Sequence, residues 1–264
     1  MTASSTPAAW PALFRLDGRT ALVTGGGGVL GTVFARTLAA AGAHVWVADL
    51  DATRAQAVAG ALRQEGLAAD ALQLDVLQRA SLTAALERTG PVDILVNAAG
   101  GNLPEATTGP ERSFFDLPLE PLQRVLALNL FGGALLPAQV FGRAMGARAS
   151  GGVILNISSM NALRPLTRIP GYSAAKAAVS NFTQWLAVHM AQEVNPRVRV
   201  NALAPGFFLT EQNRYLLTDA ATGAPTPRAQ TILAHTPLGR FGTPDDLAGA
   251  TLWLCSDAAA FVTG

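Results

Sequence analysis

The chain contains only one cysteine and three histidines among its 264 residues. A single cysteine, Cys255, excludes an internal disulfide and a cluster of thiolate metal ligands. The histidines, His44, His189 and His235, lack the close spacing typical of metal ligands, so we expect no bound metal. Charged residues make up only 14% of the chain and the formal net charge is +1. No general attraction to nucleic acid or to an anionic membrane is therefore predicted.

The sequence also lacks the segments typical of membrane insertion or export. No uninterrupted apolar run approaches the roughly 18 residues that span a bilayer. The first residues contain no basic stretch followed by an apolar one, so no signal peptide is predicted. Residues 1–16 are instead expected to form a loose polar arm. Together these absences predict a cytoplasmic protein.

Apolar residues are abundant and follow two different periodicities. Half of the chain is hydrophobic and the mean hydropathy is +0.29, which indicates a large core and further burial through self-association. Strands are predicted at 20–24, 44–49, 70–75, 92–98, 152–158 and 197–204, and helices at 29–41, 52–64, 81–88, 119–147 and 172–194. No low-complexity linker divides the chain. The alternation predicts one α/β domain over residues 1–264, with a doubly wound parallel sheet and helices on both faces.

A glycine cluster lies between the first predicted strand and the first predicted helix. Residues 21–31 read ALVTGGGGVLG, which lets the backbone approach a pyrophosphate at a helix N-terminus. The second strand ends at Asp49, whose carboxylate can bind both hydroxyls of an adenosine ribose and would repel a 2′-phosphate. The pattern predicts a dinucleotide site that prefers NAD to NADP. Asp51 is the alternative at this position, although it fits a helix N-cap better.

Tyr172 and Lys176 lie four residues apart in a predicted helix and so share one face. A neighbouring ammonium favours the phenolate, which predicts a lowered tyrosine pKa and a base that works near neutrality. Ser159 lies thirteen residues before the tyrosine, where its hydroxyl can hydrogen-bond a substrate oxygen. Ser158 is the alternative, but neighbours on a strand face opposite ways, and the spacing favours Ser159.

Two polar loops, 100–118 and 206–237, follow the C-terminal ends of predicted strands. Open α/β sheets bind ligands at that edge, and long loops there are typical of binding lids. A further stretch of candidate substrate ligands, Arg164 and Arg168, immediately precedes Tyr172. Guanidinium groups such as these bind carboxylates through planar pairs of hydrogen bonds.

These motifs resemble the short-chain dehydrogenase/reductase family over nearly the whole chain. The matching segments are TGGGGVLG (24–31), LDV (74–76), NAAG (97–100), Asn129, ISS (157–159), YSAAK (172–176), NALAPG (201–206) and Thr210. The resemblance implies a Rossmann-like fold and an oxidoreductase that uses NAD, with NADP as the less favoured cofactor. Val29 stands where the family pattern has glycine. Because Gly26, Gly28 and Gly31 also spell G-x-G-x-x-G, the glycines that contact the phosphates stay open.

The resemblance also assigns roles to individual residues. Tyr172 would exchange a proton with the reacting oxygen, and Lys176 would bind the nicotinamide ribose and lower the tyrosine pKa. Ser159 would hold the reacting oxygen, and Asn129 would anchor a proton-relaying water. The cofactor would contact Gly25, Gly26, Gly28, Val29, Leu30, Gly31, Asp49, Leu50, Asp75, Val76, Asn97, Ala98, Ala99, Gly100, Tyr172, Lys176, Pro205, Gly206, Phe208 and Thr210.

Within the family, the segments around Tyr172 and NALAPGFFLTEQNRYLL (201–217) are most similar to reductases of D-mannonate and D-fructuronate. This narrower resemblance implies a sugar-acid substrate, with its carboxylate and hydroxyls bound by some of the polar residues of the loops. The candidates are Asn102, Asn161, Arg164, Arg168, Gln212, Asn213 and Arg214. A dehydrogenase of a neutral polyol or another secondary alcohol is the alternative, and a non-catalytic dinucleotide-binding regulator is a third.

The resemblance further implies a homotetramer, with a dimer as the alternative, in which the helices that carry Asn129 and Tyr172 pack against their copies. The sequence stops within FVTG (261–264), a motif that leads in the family to another strand and a tail. We therefore expect that strand and tail to be missing, which would leave an exposed edge on the sheet.

Overall fold

A six-stranded parallel sheet forms the centre of the computed structural model, which describes residues 7–209, 217–219 and 222–264. The strands are β1 (Thr20–Thr24), β2 (His44–Asp49), β3 (Ala69–Gln73), β4 (Ile94–Asn97), β5 (Gly152–Ile157) and β6 (Val198–Leu203). Their order across the sheet is β3-β2-β1-β4-β5-β6, and all neighbouring pairs are parallel. This is the order of a Rossmann-like fold, and it confirms the predicted single α/β domain.

Helices connect the strands and cover both faces of the sheet. The α-helices are α1 (Val29–Ala40), α2 (Ala52–Gln64), α3 (Arg79–Thr89), α4 (Leu119–Gly146), α5 (Pro170–His189), α6 (Pro227–Ala234) and α7 (Ala248–Cys255). Within α4, residues Ala127–Leu135 adopt π-helical geometry, and a π-helical turn, Met190–Val194, continues α5.

Alternating side chains on the strands explain why both faces are covered. In β4, Ile94 and Val96 pack into a core on one face with Phe34 of α1. Leu95 points the other way, into a second core that contains Phe141 of α4. Because the central strand β4 is buried on both sides, its first three residues are all apolar, as expected for a parallel sheet between two helical layers.

The helix α4 is long and apolar enough to cross a membrane by length and composition, unlike the uninterrupted apolar runs considered above. Its most apolar window has a mean hydropathy of 1.6, but 56% of that window is buried inside the protein. Core helices of soluble proteins pass the same test, so this helix is weak evidence for a membrane span.

The structure corrects two predicted segments. Residues 7–16 are not a loose arm: Pro7–Phe14 form a 3-10 helix, and Leu16 is fully buried in the first core. The third strand ends at Gln73 and not at 75, because Asp75 begins a turn in which its carboxylate accepts the Leu77 amide at 2.9 Å. Both corrections reflect local packing that the residue pattern does not encode.

Residues 262–264 lie along the outer edge of β6. The Gly264 amide donates to the Val200 carbonyl at 2.8 Å, and the Asn201 side chain donates to the Val262 carbonyl at 2.9 Å. The edge of β6 that was predicted to be exposed therefore has hydrogen-bonding partners at these residues.

Candidate dinucleotide and active site

A cavity of about 700 Å³ opens at the C-terminal edge of the sheet. It spans the point where β1 and β4 lie side by side and the chain connections diverge, which is the usual ligand position in open α/β sheets. Its lining includes Gly25, Gly28, Val29, Leu30, Gly31, Asp49, Leu50, Asp75, Val76, Ala98, Ala99, Gly100, Tyr172, Lys176, Pro205, Gly206 and Phe208, all predicted cofactor contacts.

Among the described residues, two predicted cofactor contacts do not lie in this lining. Gly26 packs beneath the loop, where a Cβ atom would lie 2.8 Å from Val47 and 2.9 Å from the Val23 carbonyl. Asn97 is buried behind the loop, and its side-chain Nδ2 donates to the side-chain Oδ1 of Asn156 at 2.9 Å. Both support the cavity from behind and do not face it. Thr210 lies outside the described residues.

The glycine loop is folded too tightly for side chains. A Cβ on Gly31 would lie 2.1 Å from the Gly25 carbonyl oxygen, and one on Gly25, whose φ is +62°, would lie 2.8 Å from Ala99. Gly28 is the N-cap of α1 and faces the cavity, as does Val29 at the first helical position. Gly25, Gly28 and Gly31 line the cavity and Gly26 does not, whereas the glycines that contact the phosphates stay a prediction. The cradle fits a dinucleotide pyrophosphate, which needs close backbone approach at a helix N-terminus.

Asp49 faces the cavity at the end of β2, as predicted. Its two carboxylate oxygens accept backbone amides, Oδ2 from Gly27 at 3.0 Å and Oδ1 from Asp51 at 3.1 Å. Asp51, the alternative, is instead the N-cap of α2 and accepts the Thr53 amide at 2.9 Å. The carboxylate that lines the site is therefore that of Asp49.

Several residues that line the cavity were not among the predicted cofactor contacts. They are Arg54, Leu74, Leu77, Gly101, Leu128, Ile157, Ser158 and Phe207. Most adjoin a predicted residue in the chain, so extending each motif by one position would have found them. Arg54 is different, because it reaches the cavity from the first turn of α2, and only the position of that helix over the glycine loop reveals it.

Ser159 and Ser158 have different surroundings. The Ser158 hydroxyl is buried between α5 and the sheet, 2.6 Å from the Ser180 hydroxyl, and it also donates to the Lys176 carbonyl at 3.2 Å. The Ser159 oxygen accepts the Asn161 amide at 3.2 Å, and the hydroxyl also hydrogen-bonds the Tyr172 side chain, which favours a lower pKa of the phenol. Of the two serines, Ser159 therefore interacts with Tyr172, while its role toward a substrate stays a prediction.

Tyr172 and Lys176 both line the cavity, one helical turn apart on α5. Burial raises the pKa of Tyr172, an effect that the Ser159 hydroxyl partly offsets. Burial also lowers the pKa of Lys176 to about 8, and its amine donates to the Ile157 carbonyl at 2.7 Å. Burial therefore dominates the pKa of Tyr172 in the protein without its cofactor, and the lowering by Lys176 stays a prediction.

Asn129 lies in the π-helical part of α4 and is fully buried. The side-chain amide of Asn129 binds both backbone groups of Gly101, in the loop after β4. Its Nδ2 donates to the Gly101 carbonyl at 2.6 Å, and its Oδ1 accepts the Gly101 amide at 3.1 Å. The same oxygen would lie 2.7 Å from a Cβ on Gly100. The structure thus gives this side chain a clear role in shaping the loop beside Lys176, while its role toward a water stays a prediction.

The candidate substrate residues differ in their surroundings. The Asn102 amide is engaged by its own loop, donating to Thr107 at 2.8 Å. Asn161 is buried, and its side-chain oxygen Oδ1 has no hydrogen-bond partner among the described residues. Arg164 and Arg168 are exposed. Gln212, Asn213 and Arg214 lie outside the described residues.

Arg168 lies in a loop that contacts the loop of Thr108 and approaches Arg228 of α6. Its φ is +79°, the left-handed region that a non-glycine residue rarely adopts, and its carbonyl accepts the Thr108 amide of the preceding loop at 2.8 Å. Arg228 of α6 is partly buried; burial lowers its pKa, and the nearby charge of Arg168 lowers it further. Sequence analysis did not identify Arg228. Among the described residues, neither guanidinium has an ion-pair partner.

Proteins of known sequence that resemble this chain are oxidoreductases. It is 45% identical over 262 residues to an uncharacterised oxidoreductase, UxuB, of Bacillus subtilis (strain 168), covering 94% of this chain and 92% of the relative. It is 38% identical over 255 residues to a 7alpha-hydroxysteroid dehydrogenase of Escherichia coli (strain K12), covering 95% and 92%.

Two solved structures are similar over the same extent. A Haemophilus influenza protein with bound NAD, provisionally described as a D-mannonate oxidoreductase, has a TM-score of 0.86 and 43% identity, covering 94% of this chain and 92% of that one. A gluconate 5-dehydrogenase from Burkholderia cenocepacia J2315 in complex with NADP and tartrate has a TM-score of 0.79 and 36% identity, covering 95% and 93%. The family described as short chain dehydrogenase matches residues 19–221. The chain therefore belongs to the short-chain dehydrogenase/reductase family of NAD(P)-dependent oxidoreductases.

Proposed function

We propose that the protein is an NAD-preferring dehydrogenase that interconverts a secondary alcohol and a ketone of a sugar acid, such as D-mannonate and D-fructuronate. The observation that carries this proposal is the convergence of Ser159, Tyr172 and Lys176 at one end of the dinucleotide cavity. A non-catalytic dinucleotide-binding regulator would not require a tyrosine, a lysine and a serine hydroxyl in the same part of the cavity.

These three residues supply the proton chemistry of the proposed reaction. Oxidation removes a hydride from the carbinol carbon, which the nicotinamide accepts when bound, and a proton from the hydroxyl, which the Tyr172 phenolate takes. The Ser159 hydroxyl donates a hydrogen bond to the reacting oxygen and holds it near the tyrosine. Lys176 binds the nicotinamide ribose, and Asn129 holds the Gly101 backbone beside that ribose site.

The sugar-acid assignment rests on polar groups that lack partners among the described residues. Arg168 and Arg228 bring two positive charges together with no carboxylate partner among the described residues, so an acidic ligand would relieve their repulsion. The buried side-chain Oδ1 of Asn161 accepts no hydrogen bond from the described residues, and a substrate hydroxyl can donate one. Relatives described as gluconate and D-mannonate enzymes support the same class of substrate.

A substrate screen with two arginine variants tests the proposal. Wild-type protein, Arg168→Gln and Arg228→Gln would be assayed with NAD on D-mannonate, other sugar acids, neutral polyols and a hydroxysteroid. We expect turnover of sugar acids, with KM raised roughly tenfold or more in both variants, as for loss of a hydrogen bond to a charged group. Arg36→Gln, which removes a distant arginine paired with Glu65, is the matched control. Turnover confined to neutral alcohols would instead support the alternative substrate class.

We also propose a cytoplasmic homotetramer. Phe131 of α4 and Trp185 and Val188 of α5 are large apolar residues that stay exposed in the isolated chain. They lie on the two helices predicted to pack against their copies, and exposed apolar side chains of this size favour association. Light scattering tests the assembly, and a monomer at micromolar concentration would contradict it.

A further inference from the structure

The two cations that line the dinucleotide cavity, among the described residues, lie at opposite ends. Lys176 stands with Ser159 and Tyr172 beyond the end of β5. Arg54 stands with Asp49 and Leu50 beyond the end of β2, three strands away in the sheet. At about 4.8 Å per strand, this separation suits the two ends of one dinucleotide. Lys176 has a part in the proposed reaction, whereas no function has yet been given to Arg54.

Asp49, the neighbour of Arg54, is held in place by backbone donors. Both its oxygens accept amides, from Gly27 at 3.0 Å and from Asp51 at 3.1 Å. A carboxylate held in this way can accept hydrogen bonds from ribose hydroxyls, but its charge repels a phosphate at the same position. On its own, Asp49 would make the adenosine end selective for a cofactor without a 2′-phosphate.

Arg54 lies against the glycine loop at Gly27, which is also the position that Asp49 contacts. A Cβ on Gly27 would lie 2.6 Å from the Arg54 Cβ and 3.0 Å from the Asp49 carboxylate, so the two side chains flank one point of the loop. Asp51 forms an ion pair with the guanidinium, with Nε 3.5 Å from its Oδ2. Among the described residues, the Arg54 side chain donates no hydrogen bond. Its guanidinium is a planar fork of donors at the cavity wall, a geometry that suits a phosphate.

We propose that Arg54 is a specificity-determining residue that binds the 2′-phosphate of NADP(H), so that the protein accepts both cofactors while Asp49 keeps NAD(H) the tighter ligand. Selectivity is then a balance between two side chains and not the property of one carboxylate. The inference rests on the proposed function only in that the cavity binds a nicotinamide dinucleotide. It makes no use of the substrate.

Cofactor binding without substrate tests the proposal. Dissociation constants for NADH and NADPH would be measured by fluorescence titration for wild type, Arg54→Gln and Arg36→Gln. For Arg54→Gln we expect NADPH to bind roughly tenfold more weakly, the usual effect of losing a hydrogen bond to a charged group, and NADH to change less than about twofold. Arg36→Gln removes the same charge from α1, outside the cavity, and should alter neither constant.

Further measurements separate the possible outcomes. Competition by ADP and by adenosine 2′,5′-bisphosphate isolates the adenosine end, and only the second competitor should weaken in Arg54→Gln. Arg54→Lys keeps the charge without the planar fork, should lie between the other two proteins, and replaces Arg54→Gln if that variant fails to fold. Equal weakening of NADH and NADPH, or no measurable NADPH binding by wild type, would overturn the proposal. Failure to bind either cofactor would overturn the proposed function itself.

Discussion

The Lys176 ammonium lies over the ring of Tyr172, with Nζ 5.6 Å from the ring centre. Burial acts on the two groups in opposite directions, raising the pKa of the phenol and lowering that of the amine to about 8. Both shifts favour the uncharged form, because each charge loses its hydration in the cavity wall. The site therefore favours the neutral phenol of Tyr172, which can donate a proton, over the phenolate.

The raised pKa of Tyr172 predicts a pH dependence that differs between the two reaction directions. Ketone reduction needs the neutral phenol as the proton donor, so its rate should be highest at neutral pH and fall as the pH rises. Alcohol oxidation needs the phenolate and should become faster as the pH rises. Profiles of kcat/KM in both directions test this. In Tyr172→Phe, both directions should lose about 10²- to 10⁴-fold, the usual contribution of a general acid–base, while NADH binding is retained. A variant that kept most of its activity would exclude Tyr172 as the proton carrier.

Lys176 should also make folding stability depend on pH. In the unfolded chain its pKa returns to about 10.4, so between pH 8 and 10 the unfolded state binds more protons than the folded state. Stability should therefore rise with pH across this window, as the buried amine loses its charge. Above about pH 10 the raised pKa of Tyr172 acts in the opposite direction, so measurements should stop near pH 9.5.

Urea unfolding of wild type and Lys176→Met at pH 8.0 and 9.5 checks this expectation. Lys176 is the only lysine in the chain, so the difference between the two proteins reports on one amine. The gain in stability between the two pH values should be larger in wild type than in the variant. Equal gains would mean that the amine keeps an ordinary pKa when folded.

The adjacent serines allow a separation of chemistry from packing. Ser159→Ala removes a hydroxyl that faces the cavity and should lower kcat by about 10²-fold, as for loss of one donor to a reacting oxygen, with little change in stability. Ser158→Ala breaks the hydrogen bond to Ser180 and should cost about 1 kcal/mol of stability while leaving kcat within a few-fold. Chemical unfolding and steady-state kinetics on both variants decide between the serines, and the reverse pattern would assign the role to Ser158.

Much of the fold follows from the residue pattern because glycines and aspartates mark its boundaries. The predicted limits of β1, β2 and α2 match the structure: Asp49 ends β2, and Asp51 caps α2 as its type suggests. The glycine loop follows from its place between a strand and a helix, and the shared helix face of Tyr172 and Lys176 follows from their spacing. These features depend on local geometry, which a sequence encodes directly.

Features that depend on tertiary packing were not accessible in this way. The direction of the Tyr172 pKa shift depends on how deeply the cavity buries the phenol, which no spacing reveals. Arg54 and Arg228 acquire their neighbours only when helices fold back over distant loops, bringing Arg228 close to Arg168. The side chain of Asn129 likewise finds Gly101, 28 residues earlier, through the position of α4 against the loop.

The tight glycine loop leads to a final prediction, in which the same substitution has opposite effects at two positions. Gly31→Ala places a methyl group 2.1 Å from the Gly25 carbonyl oxygen, so the loop must open. We expect a loss of about 1–3 kcal/mol, typical of overpacking, together with strongly weakened NADH binding because the pyrophosphate cradle changes shape. Gly60→Ala, in the interior of α2, meets no atom within 4 Å and should stabilise the protein by about 0.5–1 kcal/mol.

Thermal unfolding and NADH titration of the two variants test the argument together. Gly60→Ala controls for the general effect of alanine on helix stability, so any loss in Gly31→Ala reflects the contact with Gly25. Reaction of the buried thiol of Cys255, the only cysteine, with a thiol reagent would report whether either variant opens globally. If Gly31→Ala bound NADH as tightly as wild type, the close approach of Gly31 to Gly25 would not be what shapes the cofactor site.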